Sequence, residues 1–79
     1  MDDNKKFVSR LSPAEREQVR SAVSRIIVRD IAGLDVKKLH GYPDMFRVRT
    51  GRIRILYRQD AAGVQIVRVG FRSENTYKP

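Results

Sequence analysis

Apolar residues follow two different rhythms along this chain. In the first half, Val19, Ala22, Val23, Ile26 and Ile27 recur at three- and four-residue spacing, while Arg16, Arg20 and Arg25 fall mostly outside that stripe. That is one face of an α-helix, to be packed against something apolar. Its start is marked by Ser12-Pro13-Ala14-Glu15: a serine hydroxyl to accept an orphan backbone N–H, a proline suited to the first helical position, and a glutamate able to reach back. The helix is expected to end near Gly33. Upstream, Phe7, Val8 and Leu11 predict a shorter helix whose apolar side chains meet the same core.

In the second half the rhythm becomes strict alternation. Asp35 to Asp44, with Gly41 and Pro43, is read as a connection. Phe46-Arg47-Val48-Arg49 then alternates, placing Phe46 and Val48 on one side of a strand and the arginines on the other. Thr50-Gly51 supplies a hairpin turn, and Arg52-Ile53-Arg54-Ile55-Leu56-Tyr57-Arg58 alternates again with Ile53, Ile55 and Tyr57 toward the core. Asp60-Ala61-Ala62-Gly63 turns the chain a second time, into a third strand from Val64 to Phe71. The expected fold is α+β: one or two N-terminal helices packed on a small antiparallel β-meander, in one domain spanning residues 1–79.

Charge adds a partner class to this picture. The 79 residues carry 17 Lys plus Arg against 9 Asp plus Glu, a formal charge of +8. Such a balance is the footprint of a protein that meets polyanions. There is no cysteine and one histidine, His40, which excludes disulfides and thiolate metal sites and gives no histidine cluster. No cofactor is expected. The longest apolar run, Ile26 to Val28, is far too short to span a bilayer, and the first six residues lack the apolar stretch of a secretory signal. A cytoplasmic protein with no membrane partner is the expectation.

The alternation also has a chemical consequence. Arg47 and Arg49 share one side of their strand, and Arg54 joins them from the next strand across the hairpin. Arg72 follows the third strand just after Gly70, and Tyr77 stands five residues further on. Guanidinium groups so grouped can clamp a phosphate by bidentate contacts, with an aromatic ring to stack on a base or handle a proton. The bland alternative is that solvent-facing strand positions routinely carry charge. His40, in a connecting loop, is left out of the site, and Tyr57 is assigned to the core with its hydroxyl at the rim.

Order and spacing then distinguish these readings. Lys38-Leu39-His40-Gly41, Phe46-Arg47-Val48-Arg49-Thr50-Gly51, Arg52-Ile53-Arg54-Ile55-Leu56-Tyr57 and Val69-Gly70-Phe71-Arg72 with a closing Tyr77 resemble the RelE branch of the RelE/ParE toxin superfamily. The resemblance covers roughly residues 34–77. It implies the toxin of a type II toxin-antitoxin system, a metal-independent endoribonuclease that cleaves messenger RNA in the ribosomal A site and is neutralised by a cognate antitoxin. Arg47 and Arg49 match paired basic positions that are lysines in well-known members and would bind the RNA phosphate. Arg54, Arg72 and Tyr77 match the catalytic positions. The implied reaction is attack of a ribose 2′-OH on the adjacent phosphate, leaving a 2′,3′-cyclic phosphate, with Tyr77 as base or stacking platform.

Three departures qualify the match. The residues before Phe7 are too few and too polar for the strand that usually opens the family's sheet, so that strand is expected to be missing. Arginines at 47 and 49 keep a phosphate clamp but remove any neutral amine that might act as base. Almost nothing follows Tyr77, so no C-terminal helix is expected. Two rival functions follow: a ParE-like protein inhibitor of DNA gyrase without nuclease activity, and a truncated, inactive remnant that binds antitoxin or RNA.

Overall fold

A computed structural model of the chain describes residues 3–73. Two helices, α1 (Asp3–Ser9) and α2 (Pro13–Ile27), precede four strands, β1 (Asp35–Lys38), β2 (Met45–Thr50), β3 (Ile53–Asp60) and β4 (Gly63–Phe71). Every neighbouring pair is antiparallel and the order is β1-β2-β3-β4, a plain meander. This is the expected α+β architecture, with both anticipated helices present. Among the described residues, no strand precedes α1.

The ends of α2 follow from local chemistry. The Ser12 hydroxyl accepts from the backbone N–H of Glu15 at 3.2 Å, and Pro13 opens the first turn, where its missing N–H costs nothing. The far end lies earlier than Gly33. Asp30 N–H donates to Arg25 C=O and Arg29 N–H to Ile26 C=O, while Arg29 adopts φ 61°. These two bonds around a left-handed residue form a Schellman motif, which closes the helix with an arginine where glycine is usual. Ile27, counted in the apolar stripe, is consequently 57% exposed in the last turn, beside the exposed Val28.

The core lies between α2 and one face of the sheet. Val19, Ala22 and Ile26 from the helix meet Val48, Ile53, Ile55, Tyr57 and Val69, all buried, with Leu11 closing the end beneath α1. Cross-strand register explains the grouping: Val48 lies opposite Ile55, and Ile55 opposite Val69. Tyr57 is buried and stacks on Phe46 with ring centroids 5.3 Å apart, and burial pushes its phenol pKa up.

One segment differs from the expected pattern. Asp35–Lys38, taken as connection, is an edge strand pairing Val36 with Val48. Only Val36 among its four residues is apolar, so alternation has a single position through which to register. A short, charged strand is how sheets protect an edge from wrong pairing, and the same feature hides it from pattern analysis.

The opposite edge is protected by α1. The side-chain amide of Asn4 donates to Val67 C=O at 3.2 Å and accepts from Val69 N–H at 2.9 Å, imitating a neighbouring strand. Phe7 adds an edge-to-face contact with Phe71, centroids 4.8 Å apart. Asn4→Ala is expected to destabilise the chain by about 1–3 kcal/mol, because two backbone groups of β4 lose their partner. Asn4→Asp, which can still accept from Val69, should recover part of this. Urea midpoints of the three proteins test the assignment, and an unchanged midpoint for Asn4→Ala would refute it.

Candidate nucleic-acid interface

The face of the sheet turned away from α2 is built from alternate residues of each strand. Arg49 lies directly opposite Arg54, and Leu56 lies between Arg47 on one side and Arg68 on the other. Leu56 and Met45 are buried on this face, 1% and 3% exposed, although no helix covers it among the described residues. Register sets Arg47 and Arg68 on either side of Leu56, where the aliphatic stems of arginine can cover an apolar side chain. Leu56 is therefore the apolar floor on which the basic residues are mounted.

Two arginines placed directly opposite each other are unfavourable in an antiparallel pair, because like charges repel at that spacing. Here the pair opens onto a cleft of about 590 Å³ lined by Arg49, Gly51, Arg52, Arg54, Phe71, Arg72 and Ser73. The hairpin turn and the end of β4 are tied together at its rim. Arg72 N–H donates to Arg52 C=O at 2.8 Å, the Arg72 guanidinium donates to Gly51 C=O at 3.2 Å, and Arg54 Nη2 donates to Arg72 C=O at 3.0 Å. Gly51 makes this closure possible. Its φ of 56°, with only Arg52 between it and the Thr50–Ile53 pair, gives the two-residue type II′ turn that matches strand twist.

The predicted constellation is thus divided. Arg49, Arg54 and Arg72 meet at one cleft. Arg47 shares their face but points to the β1 edge, where it forms an ion pair with Asp35 at 3.3 Å and is only 12% exposed. The pair is a diagonal contact made possible by β1, whose register sets Asp35 opposite Arg49, two positions along from Lys37 opposite Arg47. Tyr77 lies outside the described residues. His40 is exposed in the turn between β1 and β2, beside Tyr42 and away from the arginine cleft. No group of three or more His, Cys, Asp or Glu that could hold a metal occurs among the described residues. No described helix is long and apolar enough to cross a membrane.

Comparison with solved structures gives a match over most of the chain. It resembles a chain in the crystal structure of the RelB–RelE antitoxin–toxin complex from Methanococcus jannaschii, with a TM-score of 0.68 and 20% identity, covering 91% of this chain and 87% of that one. The fold is that of a RelB–RelE complex chain. No protein-family model and no curated protein matches the sequence. The RelB–RelE likeness therefore establishes architecture, and the chemistry of the cleft must be argued from its own residues.

One cleft residue escaped sequence analysis. Arg52 donates to both carboxylate oxygens of Glu15, at 2.5 Å and 3.3 Å, and its guanidinium lies over the ring of Phe71, 4.6 Å from the centroid. The partner stands 37 residues earlier, on α2, so no local spacing announces the contact. The hydrogen bond from Arg52 holds the Glu15 carboxyl below its ordinary value of 4.5, against desolvation, with help from the charge of Arg52 and from Ser12. A depressed carboxylate pKa contributes stability that is present above its unfolded-state value and is lost as pH falls through the folded value. Glu15→Gln should therefore flatten the acid limb of stability against pH, and a carboxyl NMR titration should place Glu15 below 4.5. A Glu15 midpoint at or above that value would show the ion pair to be unformed.

Proposed function

We propose that the chain is a RelE-type toxin of a toxin-antitoxin system, an endoribonuclease that cuts messenger RNA in the ribosomal A site. The observation that carries this reading is the meeting of Arg49, Arg54 and Arg72 at one open cleft, on a fold like that of a chain in a RelB–RelE complex. Arginine stays protonated, so these groups orient the scissile phosphate and stabilise the charge that grows on its oxygens during 2′-OH attack. Arg49 and Arg54 approach from neighbouring strands, and Arg72 approaches from the end of β4 toward the leaving oxygen. Arg47 contributes less to the clamp than these three, because its guanidinium is already paired with Asp35.

The described cleft side chains are arginines with Phe71 and Ser73. They supply cations but no group suited to accept a proton near neutral pH. Tyr77 is assigned that role, or that of stacking on a base, in this proposal. The partners are a cognate antitoxin and ribosome-bound messenger RNA, and the compartment is the cytoplasm. A second reading, RNA binding without cleavage, is favoured by that same lining, which holds cations and no base.

The test is primer extension on ribosomes stalled on a defined message, with Arg72→Ala and Tyr77→Phe beside the wild type. New 5′ ends within the A-site codon, lost in both variants, are the expected result. No cuts from a folded chain that still binds RNA would establish the binding-only reading. No cuts and no RNA binding would leave the ParE-like inhibitor, to be assayed on gyrase.

A further inference from the structure

We propose that Arg52 is a stacking platform at the mouth of the cleft, taking one unpaired nucleobase of a single-stranded RNA whose phosphate lies against Arg49, Arg54 and Arg72. This rests on the cleft being an RNA site and adds the subsite that reads the neighbouring nucleotide.

The argument begins with how Arg52 is held. Its Nε and Nη2 edge is taken by the two oxygens of Glu15, and the ring of Phe71 lies beneath the guanidinium at 4.6 Å. Its own carbonyl accepts from Arg72 N–H at 2.8 Å, and the preceding carbonyl, of Gly51, accepts from the Arg72 guanidinium. Phe71 is in turn braced by Phe7. Backbone and side chain of Arg52 are therefore both fixed, yet the side chain is 69% exposed. A guanidinium paired along one edge and backed by an aromatic ring has its remaining surface open to solvent, here beside the cleft that Arg52 lines.

Two roles are open to an exposed arginine beside a phosphate site, and the geometry separates them. A phosphate contact needs free charge and free donors, whereas Glu15 occupies one edge and offsets the charge. A base-stacking platform needs a flat, weakly hydrated plane held rigid, which arginine supplies and lysine does not. The ion pair with Glu15 thus prepares the plane for an unstacked base. It also explains why arginine stands at the second position of a tight turn, where many side chains would fit. Duplex RNA keeps its bases stacked inside the helix, so the occupant is single-stranded.

The probe is a short RNA with 2′-O-methyl riboses, which blocks the attacking hydroxyl, carrying 2-aminopurine at successive positions. Wild-type protein is expected to quench the fluorophore at one position. Arg52→Ala and Arg52→Lys should each abolish that quenching and weaken binding about tenfold, within the range for loss of one stacked base. Removing the base at that position should weaken wild-type binding equally and leave Arg52→Ala unaffected. Urea midpoints confirm that each variant is folded. Wild-type affinity in Arg52→Lys, or tighter binding by Glu15→Gln, would make Arg52 a phosphate contact and overturn the proposal. Unchanged affinity in Arg49→Ala and Arg72→Ala would instead overturn the cleft as the RNA site, a separate outcome read from the same titrations.

Discussion

Arg54→Ala is expected to weaken binding of a 2′-O-methyl RNA by roughly 10- to 150-fold, the equivalent of losing a charged hydrogen bond of about 1.5–3 kcal/mol. Arg54 stands at the centre of the interface. It faces Arg49 across the strands, lines the cleft and donates to the backbone carbonyl of Arg72. Its removal therefore takes away one phosphate contact and releases the residue that closes the rim. The salt dependence should also become shallower, by a slope of about 0.7 for one contact to a single strand. Arg54→Lys should restore most of that slope and little of the affinity, because a point charge does not reproduce the planar fork. Arg47→Ala is the comparison that matters. With its side chain 12% exposed and paired to Asp35, its loss should cost far less than the loss of Arg54. A larger effect at Arg47 than at Arg54 would place the RNA on the β1 side of the sheet, away from the proposed cleft.

Ile55→Ala should leave the protein marginally folded or unfolded at 25 °C. Ile55 is fully buried, with Val48 and Val69 opposite it on the two flanking strands and the stripe of α2 above. Truncating a buried isoleucine to alanine removes transfer free energy and leaves a cavity, costing about 2–5 kcal/mol. A core of this size supplies a net stability of only about 3–5 kcal/mol, so the substitution consumes most or all of it. Ile55→Val, at about 0.5–1.5 kcal/mol, should remain folded with a lowered urea midpoint. Circular dichroism melts of both variants test the placement of the core, and a wild-type midpoint for Ile55→Ala would contradict it. Because an RNA partner or antitoxin that binds the native state stabilises it by mass action, the same melts should be run on the free chain.

The two effects are mechanically linked through β3. Ile55 faces the helix while Arg54 and Leu56 lie on the opposite face of the sheet, so one strand carries both the core and the basic face. Leu56 is as buried as Ile55, but under arginine stems instead of a helix. Alternation marks which side a residue takes, and it does not reveal that an apolar residue on the charged side will be covered. That depends on Arg47 and Arg68 flanking it from both neighbouring strands.

The parts of this protein that its sequence determined are those governed by short-range physics. Periodicity placed α2, β2, β3 and β4; the Ser12 cap placed the start of α2, and the Thr50-Gly51 and Asp60–Gly63 turns placed the strand ends they join; and strand geometry put Arg49 and Arg54 on one face. The features that only the tertiary structure decided depend on residues far apart in the chain. Strand β1 forms because Val36 finds Val48, Asn4 seals an edge more than sixty residues away, and Asp35 draws Arg47 out of the clamp. Glu15, chosen by the sequence as a helix cap, also fixes Arg52 on Phe71. The physical reason is common to all four: a side chain's partner is set by which backbone segments the fold brings together, and spacing along the chain carries no record of that.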